Sequence, residues 1–344
     1  QVVPYVPGEQ PAGDKIVKLN TNENPYPPAP GVKKVLEEME ADRLRKYPDP
    51  TASILVKELA SYYGLNEDQV FVGVGSDDVL AMSFLTFFNS DKPVLFPDVT
   101  YSFYKVWADL FKVPFETPVL KEDFTIDVKD YEKENGGVIF PNPNAPTGVY
   151  MPLDQVEEIL KANQDVVVIV DEAYVDFAGP SALELLDKYE NLLVVQTFSK
   201  SRSMAGMRIG FAMGHPDLIR ALNDVKYSYN SYTMNLPSLL AGVEAVKDKE
   251  YFEKTIEKIV ATREHAKKRL TELGFTFPNS QSNFIFASHK SVPAEKIFEA
   301  LKKEQIYVRY FKTPGLDNSL RISIGTDEEM DTLFRFLEAY LPNA

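Results

Sequence analysis

The chain has 344 residues, 44% hydrophobic and 26% charged, enough for more than one domain. A formal net charge of −14 leaves no general basic face, so neither nucleic acid nor an anionic membrane surface is an expected partner. Cysteine is absent, which excludes disulfides and thiolate metal sites and fits a cytoplasmic setting. No apolar run approaches the roughly 18 residues of a membrane span. The opening Gln1-Val2-Val3-Pro4 is not expected to be a secretory leader, and a few native residues are expected to precede it. His215, His265 and His289 lie far apart without ligand spacing, so they read as surface residues and no metal site is expected.

Residues 1–30 are rich in Pro, Asn and Gly and read as an extended arm without regular structure, lying on another surface. A helix is expected over 30–40. Arg43 to Pro50 then forms a rigid turn presenting Tyr47, and a helix over 54–63 is closed by Gly64. Residues 70–78, Val-Phe-Val-Gly-Val-Gly-Ser-Asp-Asp, are a strand running into a helix over 79–88. The glycines there allow close backbone approach to a ligand, and the free amides of the helix start suit an anion, though glycine before a Ser or Asp cap is also ordinary helix initiation. Asp77 and Asp78 would repel a phosphate if they faced it, so they are expected to cap the helix or turn toward a cationic group.

A short strand over 94–97 leads to Tyr101, which opens a helix; its ring either lies over a flat cofactor or packs in the core. The strand over 137–140 runs into Pro141-Asn142-Pro143-Asn144-Ala145-Pro146-Thr147-Gly148. After a helix over 153–162, Val166 to Val170 is a β-branched run suited to a central parallel strand. It ends in Asp171-Glu172-Ala173-Tyr174. A carboxylate there needs a cation, which either a salt-bridge partner or a protonated ring nitrogen supplies. A helix over 183–189 returns to the strand 192–195, which breaks into Thr197-Phe198-Ser199-Lys200 and a loop carrying Gly206, Arg208 and Gly210. Lys200 is either a solvated lysine or the Schiff-base partner of an aldehyde cofactor whose phosphate Ser199 and Arg208 hold.

Strands alternating with helices, with polar residues just past the strands, predict an α/β unit with a mostly parallel sheet and its site at the carboxyl ends. Beyond 238 the pattern changes to long amphipathic helices (236–274), half-buried strands (275–277, 283–287, 307–310, 320–325) and helices over 294–304 and 328–340, a smaller α+β domain. The expected division is an arm at 1–30, a large domain at 31–238 and a small one at 239–344.

Together, Gly75-Ser76-Asp77, the aromatic Tyr101, Asn144-Ala145-Pro146-Thr147-Gly148, Asp171-Glu172-Ala173-Tyr174, Ser199-Lys200 with Arg208, and Leu320-Arg321-Ile322-Ser323-Ile324-Gly325 resemble the fold-type I pyridoxal-phosphate aminotransferases over nearly the whole chain. The resemblance implies a three-layer α-β-α large domain with the PLP-dependent transferase fold, and pyridoxal 5′-phosphate as cofactor. It implies that Lys200 carries the cofactor and shuttles a proton, that Asp171 keeps the ring nitrogen protonated, that Tyr174 bonds the ring oxygen and that Tyr101 stacks on the ring. Gly75, Ser76, Asp77, Ser199 and Arg208 would bind the phosphate, with Tyr47 reaching it across a homodimer interface. Many members have a second Asn where this chain has Ala145; either Asn144 takes over its bond to the ring oxygen or the bond is absent.

Within that superfamily, Pro4-Tyr5-Val6-Pro7-Gly8, Leu19 to Pro25, Arg45-Lys46-Tyr47-Pro48-Asp49 and Thr197 to Ser203 look most like histidinol-phosphate aminotransferases. That resemblance implies exchange of an amino group between histidinol phosphate and 2-oxoglutarate, giving imidazole-acetol phosphate and glutamate in histidine biosynthesis. One anion site must then take a phosphate and a carboxylate in turn; Arg321 suits it, with Arg309, Tyr5 and Asn22 beside it. An aromatic or broad-range aminotransferase and a threonine-phosphate decarboxylase remain alternatives on the same scaffold.

Overall fold

A computed structural model of the chain describes residues 2–13 and 15–344; Gln1 and Asp14, within the expected arm, lie outside them. Two sheets divide the chain. The larger is built on the β-branched runs expected to be central. Its strands are β2 (Val70–Gly73), β3 (Val94–Leu95), β4 (Phe115–Glu116), β5 (Gly137–Pro141), β6 (Val168–Asp171), β7 (Leu192–Thr197) and β8 (Gly210–Gly214), in the order β2-β8-β7-β6-β5-β3-β4. All run parallel except β8, which lies antiparallel between β2 and β7. β1 (Val17–Leu19) belongs to the second sheet.

Alternation along β5, β6 and β7 shows why these runs contain no polar face. Val138, Phe140, Val168, Val170, Leu192 and Val194 enter one core with α2 (Ser53–Tyr63) and α5 (Leu153–Ala162). Ile139, Ile169, Leu193 and Val195 enter a second core on the other side with α3 (Ser76–Phe87), α4 (Phe103–Phe111) and α6 (Pro216–Tyr229). Helices on both faces of a mostly parallel sheet make the expected three-layer α-β-α unit. α1 (Pro30–Glu38) and α7 (Leu236–Lys247) cover the α2 side.

The smaller unit has α8 (Lys249–Glu272), α9 (Ala294–Lys303) and α10 (Asp327–Tyr340) with the sheet β1-β11-β12-β10-β9, where β9 is Phe275–Thr276, β10 Phe284–His289, β11 Ile306–Tyr310 and β12 Leu320–Ser323. α10 starts with a reciprocal Thr326–Glu329 capping box, and α8 with the Asp248 carboxylate accepting from the Tyr251 amide. Among the described residues no helix is long and apolar enough to cross a membrane.

Several expectations need correction. The arm contains regular structure: the proline-free Val17-Lys18-Leu19 adds to β11 as a parallel edge strand. The division expected at 238/239 falls inside α7, whose Leu239, Ala241, Ala245 and Val246 pack in the large unit's core; we place the passage to the second unit at Asp248. The helix expected over 183–189 is a short 3-10 turn at Ala182–Leu185. α3 starts at Ser76 rather than 79, because Gly75 takes the positive φ of +85° that turns the chain directly into it. Tyr101 precedes α4 rather than opening it. His289 is buried: its Nδ1 accepts from the Val292 amide at 3.0 Å and its Nε2 bonds the Leu273 carbonyl at 3.0 Å, so it splices β10 to its neighbours.

Candidate active site

The carboxyl ends of β6 and β7 bring Asp171 and Lys200 to one end of the sheet, and the antiparallel return of β8 puts Arg208 beside the start of α3. Lys200 follows the buried Phe198 and Ser199 and is itself half-buried. Its Nζ donates to the Thr21 carbonyl at 3.0 Å and lies 5.9 Å from the Tyr174 ring centre. Burial, and then the positive charge of Arg321, pulls its pKa down to about 8. The main chain around it is held tightly. Asn24 Nδ2 donates to the carbonyls of Lys200 (3.0 Å) and Ser201 (3.2 Å). The Arg202 guanidinium is buried 4.1 Å from the Phe252 ring centre and donates to the Ala245 carbonyl.

Asp171, at the end of β6, is 4% exposed. Its Oδ2 accepts the Tyr104 hydroxyl at 2.7 Å, and Oδ1 has the Ala173 amide at 3.3 Å. Desolvation lifts its pKa to about 6, and among the described residues no cation stands near enough to oppose the rise. Neighbouring Glu172 faces the other way, is held by Ser181, Gln196 and the Ala182 amide, and is raised by burial to about 7. The Tyr174 hydroxyl accepts from Asn22 Nδ2 at 3.0 Å, and Asn22 is tied to Ser323 and Asn283.

A backbone cradle forms where β2 meets α3. A Cβ on Gly75 would lie 2.5 Å from Arg208 Nη2, and one on Gly210 would overlap the Gly75–Ser76 peptide. Both positions therefore require glycine, and Arg208 sits against the amides of the α3 start. Asp77 is turned aside, its Oδ1 accepting the Tyr101 hydroxyl at 2.9 Å, while Asp78 Oδ2 accepts from the Val74 amide. Negative side chains are thus used locally and the N-terminal amides stay free for an anion.

At the mouth, the Tyr5 ring stacks on Phe103 with centroids 4.2 Å apart and lies 6.3 Å from Tyr101. Arg309 fastens the arm over this point by donating to the carbonyls of Val6 (3.0 Å) and Pro7 (3.2 Å). Arg321 donates through Nη2 to the Asn20 carbonyl, but its buried Nε has no partner among the described residues. Asn144 is occupied within its own loop: Nδ2 donates to Val99 and Thr147, and Oδ1 accepts from Thr100. Tyr47 stands apart from these residues, 81% exposed with its ring 4.6 Å from that of Tyr232.

The chain matches the aminotransferase class I and II family over residues 14–337. It belongs to that family. A histidinol-phosphate aminotransferase from Brachyspira hyodysenteriae is 52% identical over 343 residues, covering 99% of this chain and 97% of that one. One from Clostridium acetobutylicum is 54% identical over 327 residues, covering 95% and 93%. The histidinol-phosphate aminotransferase of Sinorhizobium meliloti, solved in complex with pyridoxal 5′-phosphate, superposes with a TM-score of 0.85 at 25% identity, covering 95% of this chain and 90% of that one.

Pyridoxal 5′-phosphate is the cofactor of this aminotransferase family. The residues present fit it. Asp171 is a buried carboxylate lacking a cation, which a protonated ring nitrogen supplies. At Gly75 and Gly210 the backbone packs too closely on Arg208 and on itself for any Cβ, which sets the start of α3 beside a guanidinium, donors suited to a phosphate. Lys200 is an amine of lowered pKa, suited to bond an aldehyde. Sequence reading missed Tyr104, Thr21 and Asn24. The signal for the last two was present in the polar Thr21-Asn22-Glu23-Asn24 run, but nothing in it pointed to the Lys200 loop.

Proposed function

We propose that this aminotransferase exchanges the amino group of L-histidinol phosphate with 2-oxoglutarate, giving imidazole-acetol phosphate and L-glutamate in histidine biosynthesis. Relatives of that name at 52% and 54% identity support the reading. The observation that carries it is Arg321. Its guanidinium has an unpartnered buried Nε and stands close enough to Lys200 to depress the amine's pKa, so an anion bound there lies within reach of the reacting amine. A guanidinium accepts the phosphate of one substrate and the carboxylate of the other.

When bound, pyridoxal 5′-phosphate supplies an aldehyde that takes the amino group and a ring that delocalises the electron pair left at the donor's Cα. In our reading Arg208, Ser199 and the Gly75-Ser76-Asp77 amides hold its phosphate, and Asp171 holds the ring nitrogen. Tyr101 lies against the ring face, its hydroxyl fixed by Asp77. Tyr174, oriented by Asn22, bonds the ring oxygen. Asn144 has both amide protons committed to its loop, so we assign it to shaping that loop while Tyr174 serves the oxygen. Lys200 Nζ, freed when substrate arrives, takes the proton from Cα; its pKa of about 8 lets it accept and return a proton near neutral pH. Arg309 and Tyr5 close the arm over the mouth and exclude water.

The same reading makes the enzyme a cytoplasmic homodimer. The exposed Tyr47 and Tyr232 rings lie against each other, and the exposed Leu44 and Tyr229 stand three residues before them in sequence, which supports the dimer; Tyr47 would reach the phosphate of the partner subunit.

Glutamate formation from 2-oxoglutarate, compared across donors, tests the reading. Histidinol phosphate should exceed phenylalanine in kcat/KM by at least about 100-fold, since a side-chain pocket that hydrogen-bonds an imidazole rejects a ring that cannot form the bond. Arg321→Ala should lower kcat/KM for both donors, because the phosphate of one and the carboxylate of the other use the same guanidinium. Equal use of both donors would mean a broad-range aminotransferase, and carbon dioxide release from threonine phosphate would mean a decarboxylase.

A further inference from the structure

Tyr104 lies in the first turn of α4 with no exposed surface. Its ring is fixed by perpendicular contacts with Tyr101 (centroids 5.8 Å apart, 90°) and Phe96 (5.8 Å, 72°), and it also borders Phe84 and Trp107. A phenylalanine would fill that space. The hydroxyl is what phenylalanine lacks, and burying a hydroxyl is unfavourable unless it finds a partner. Its partner is Asp171 Oδ2 at 2.7 Å. Among the described residues no other side chain bonds that carboxylate, and Oδ1 has the Ala173 amide at 3.3 Å.

We propose that Tyr104 is a positioning residue for the transamination: its hydroxyl holds one oxygen of Asp171 so that the other is presented, as an anion, to the cofactor's ring nitrogen. The inference rests on the reading of Asp171 given above and extends it to a fully buried residue that acts through that carboxylate.

The physical basis is competition for one proton. Desolvation favours the neutral acid, and so does the negative charge of Asp77 on α3. Tyr174, past the end of β6, faces the same space as a neutral phenol, and Tyr104 on α4 is the donor that favours the anion. Burial and Asp171 together keep the Tyr104 hydroxyl well above the usual phenol range, so it donates throughout the working pH range. Without it the carboxylate becomes more basic and draws the proton away from the ring nitrogen, weakening the ring as an electron acceptor.

Two readouts test this in Tyr104→Phe. In full-length chain freed of cofactor, 13C-labelled Asp171, assigned with Asp171→Asn, should titrate with a midpoint raised from about 6 by roughly one pH unit. In holoenzyme carrying 15N-labelled pyridoxal phosphate, the ring nitrogen should lose its proton at a lower pH than in the unmodified enzyme. Replacing Tyr104 by 3-fluorotyrosine strengthens the donor while keeping the ring, and should move both midpoints the opposite way. This second variant keeps the test alive if the phenylalanine variant does not fold. Midpoints unchanged in a folded variant overturn the proposal. If the carboxylate responds but the ring nitrogen is insensitive even to Asp171→Asn, the assignment of Asp171 itself fails, and the proposal with it.

Discussion

Lys200 Nζ donates to the carbonyl of Thr21 at 3.0 Å, joining the amine expected to carry the cofactor to an arm residue 179 positions earlier. A neutral carbonyl accepts the hydrogen bond without supplying a counter-charge, so burial and Arg321 bring the amine to about 8. Cofactor-free chain should therefore take up pyridoxal phosphate at a rate that rises with pH and levels off above about 8. Arg321→Ala removes a positive neighbour and should move that midpoint upward. Stopped-flow absorbance reads both; a midpoint near 10.5 in the unmodified chain would contradict the account.

Asp171 makes a stability prediction of definite sign. Its pKa rises from 3.8 to about 6 on folding, so between those values the folded state binds more protons than the unfolded one and stability falls as pH rises. The penalty is about 3 kcal/mol, fully present above pH 6 and absent below 3.8. Asp171→Asn should stabilise the cofactor-free chain at pH 8 by up to that amount and leave it unchanged near pH 3.8, while abolishing transamination. Urea unfolding at the two pH values measures this; destabilisation at pH 8 contradicts it.

The phosphate cradle should not tolerate a single methyl group. Gly75→Ala introduces a Cβ 2.5 Å from Arg208 Nη2 at a φ of +85°, so both the backbone and the guanidinium must shift. Losing one or two charge-assisted bonds should weaken cofactor binding about 10- to 100-fold, and Arg208→Gln should do the same. Equilibrium dialysis of cofactor against each variant decides.

If Tyr47 acts across a dimer interface, two inactive variants should complement each other. Lys200→Ala and Tyr47→Ala, refolded together, place one intact site in each mixed dimer. Recovered activity should reach roughly a quarter of the unmodified enzyme under random pairing. No recovery would place Tyr47 in its own subunit's site or outside both.

The residues that bear most directly on chemistry were legible because their surroundings were. Lys200 and Asp171 each follow a β-branched run that only a strand buried on both faces explains, so a polar residue at its end stands out. β8 gave no such signal: Gly210-Phe211-Ala212-Met213-Gly214 is short and bounded by glycines, which read as loop. β1 was hidden in a proline-rich arm because three apolar-to-charged residues become a strand only when β11 offers an edge. Tyr104 was invisible for another reason. On a helix that buries aromatic residues, one phenol whose hydroxyl meets a carboxylate 67 positions away looks like any core tyrosine. Asn144 shows the converse, since its motif position was evident but not that its amide is committed to Val99 and Thr147.

The most direct test of the central claim is a half-reaction. Purified holoenzyme is mixed with one amino donor, no oxo acid is present, and the absorbance of the bound cofactor is followed. The account predicts rapid, complete conversion to the pyridoxamine form with histidinol phosphate, slow conversion with phenylalanine or tyrosine, and none in Lys200→Ala. Conversion that is as fast with the aromatic donors, or that survives Lys200→Ala, would contradict it.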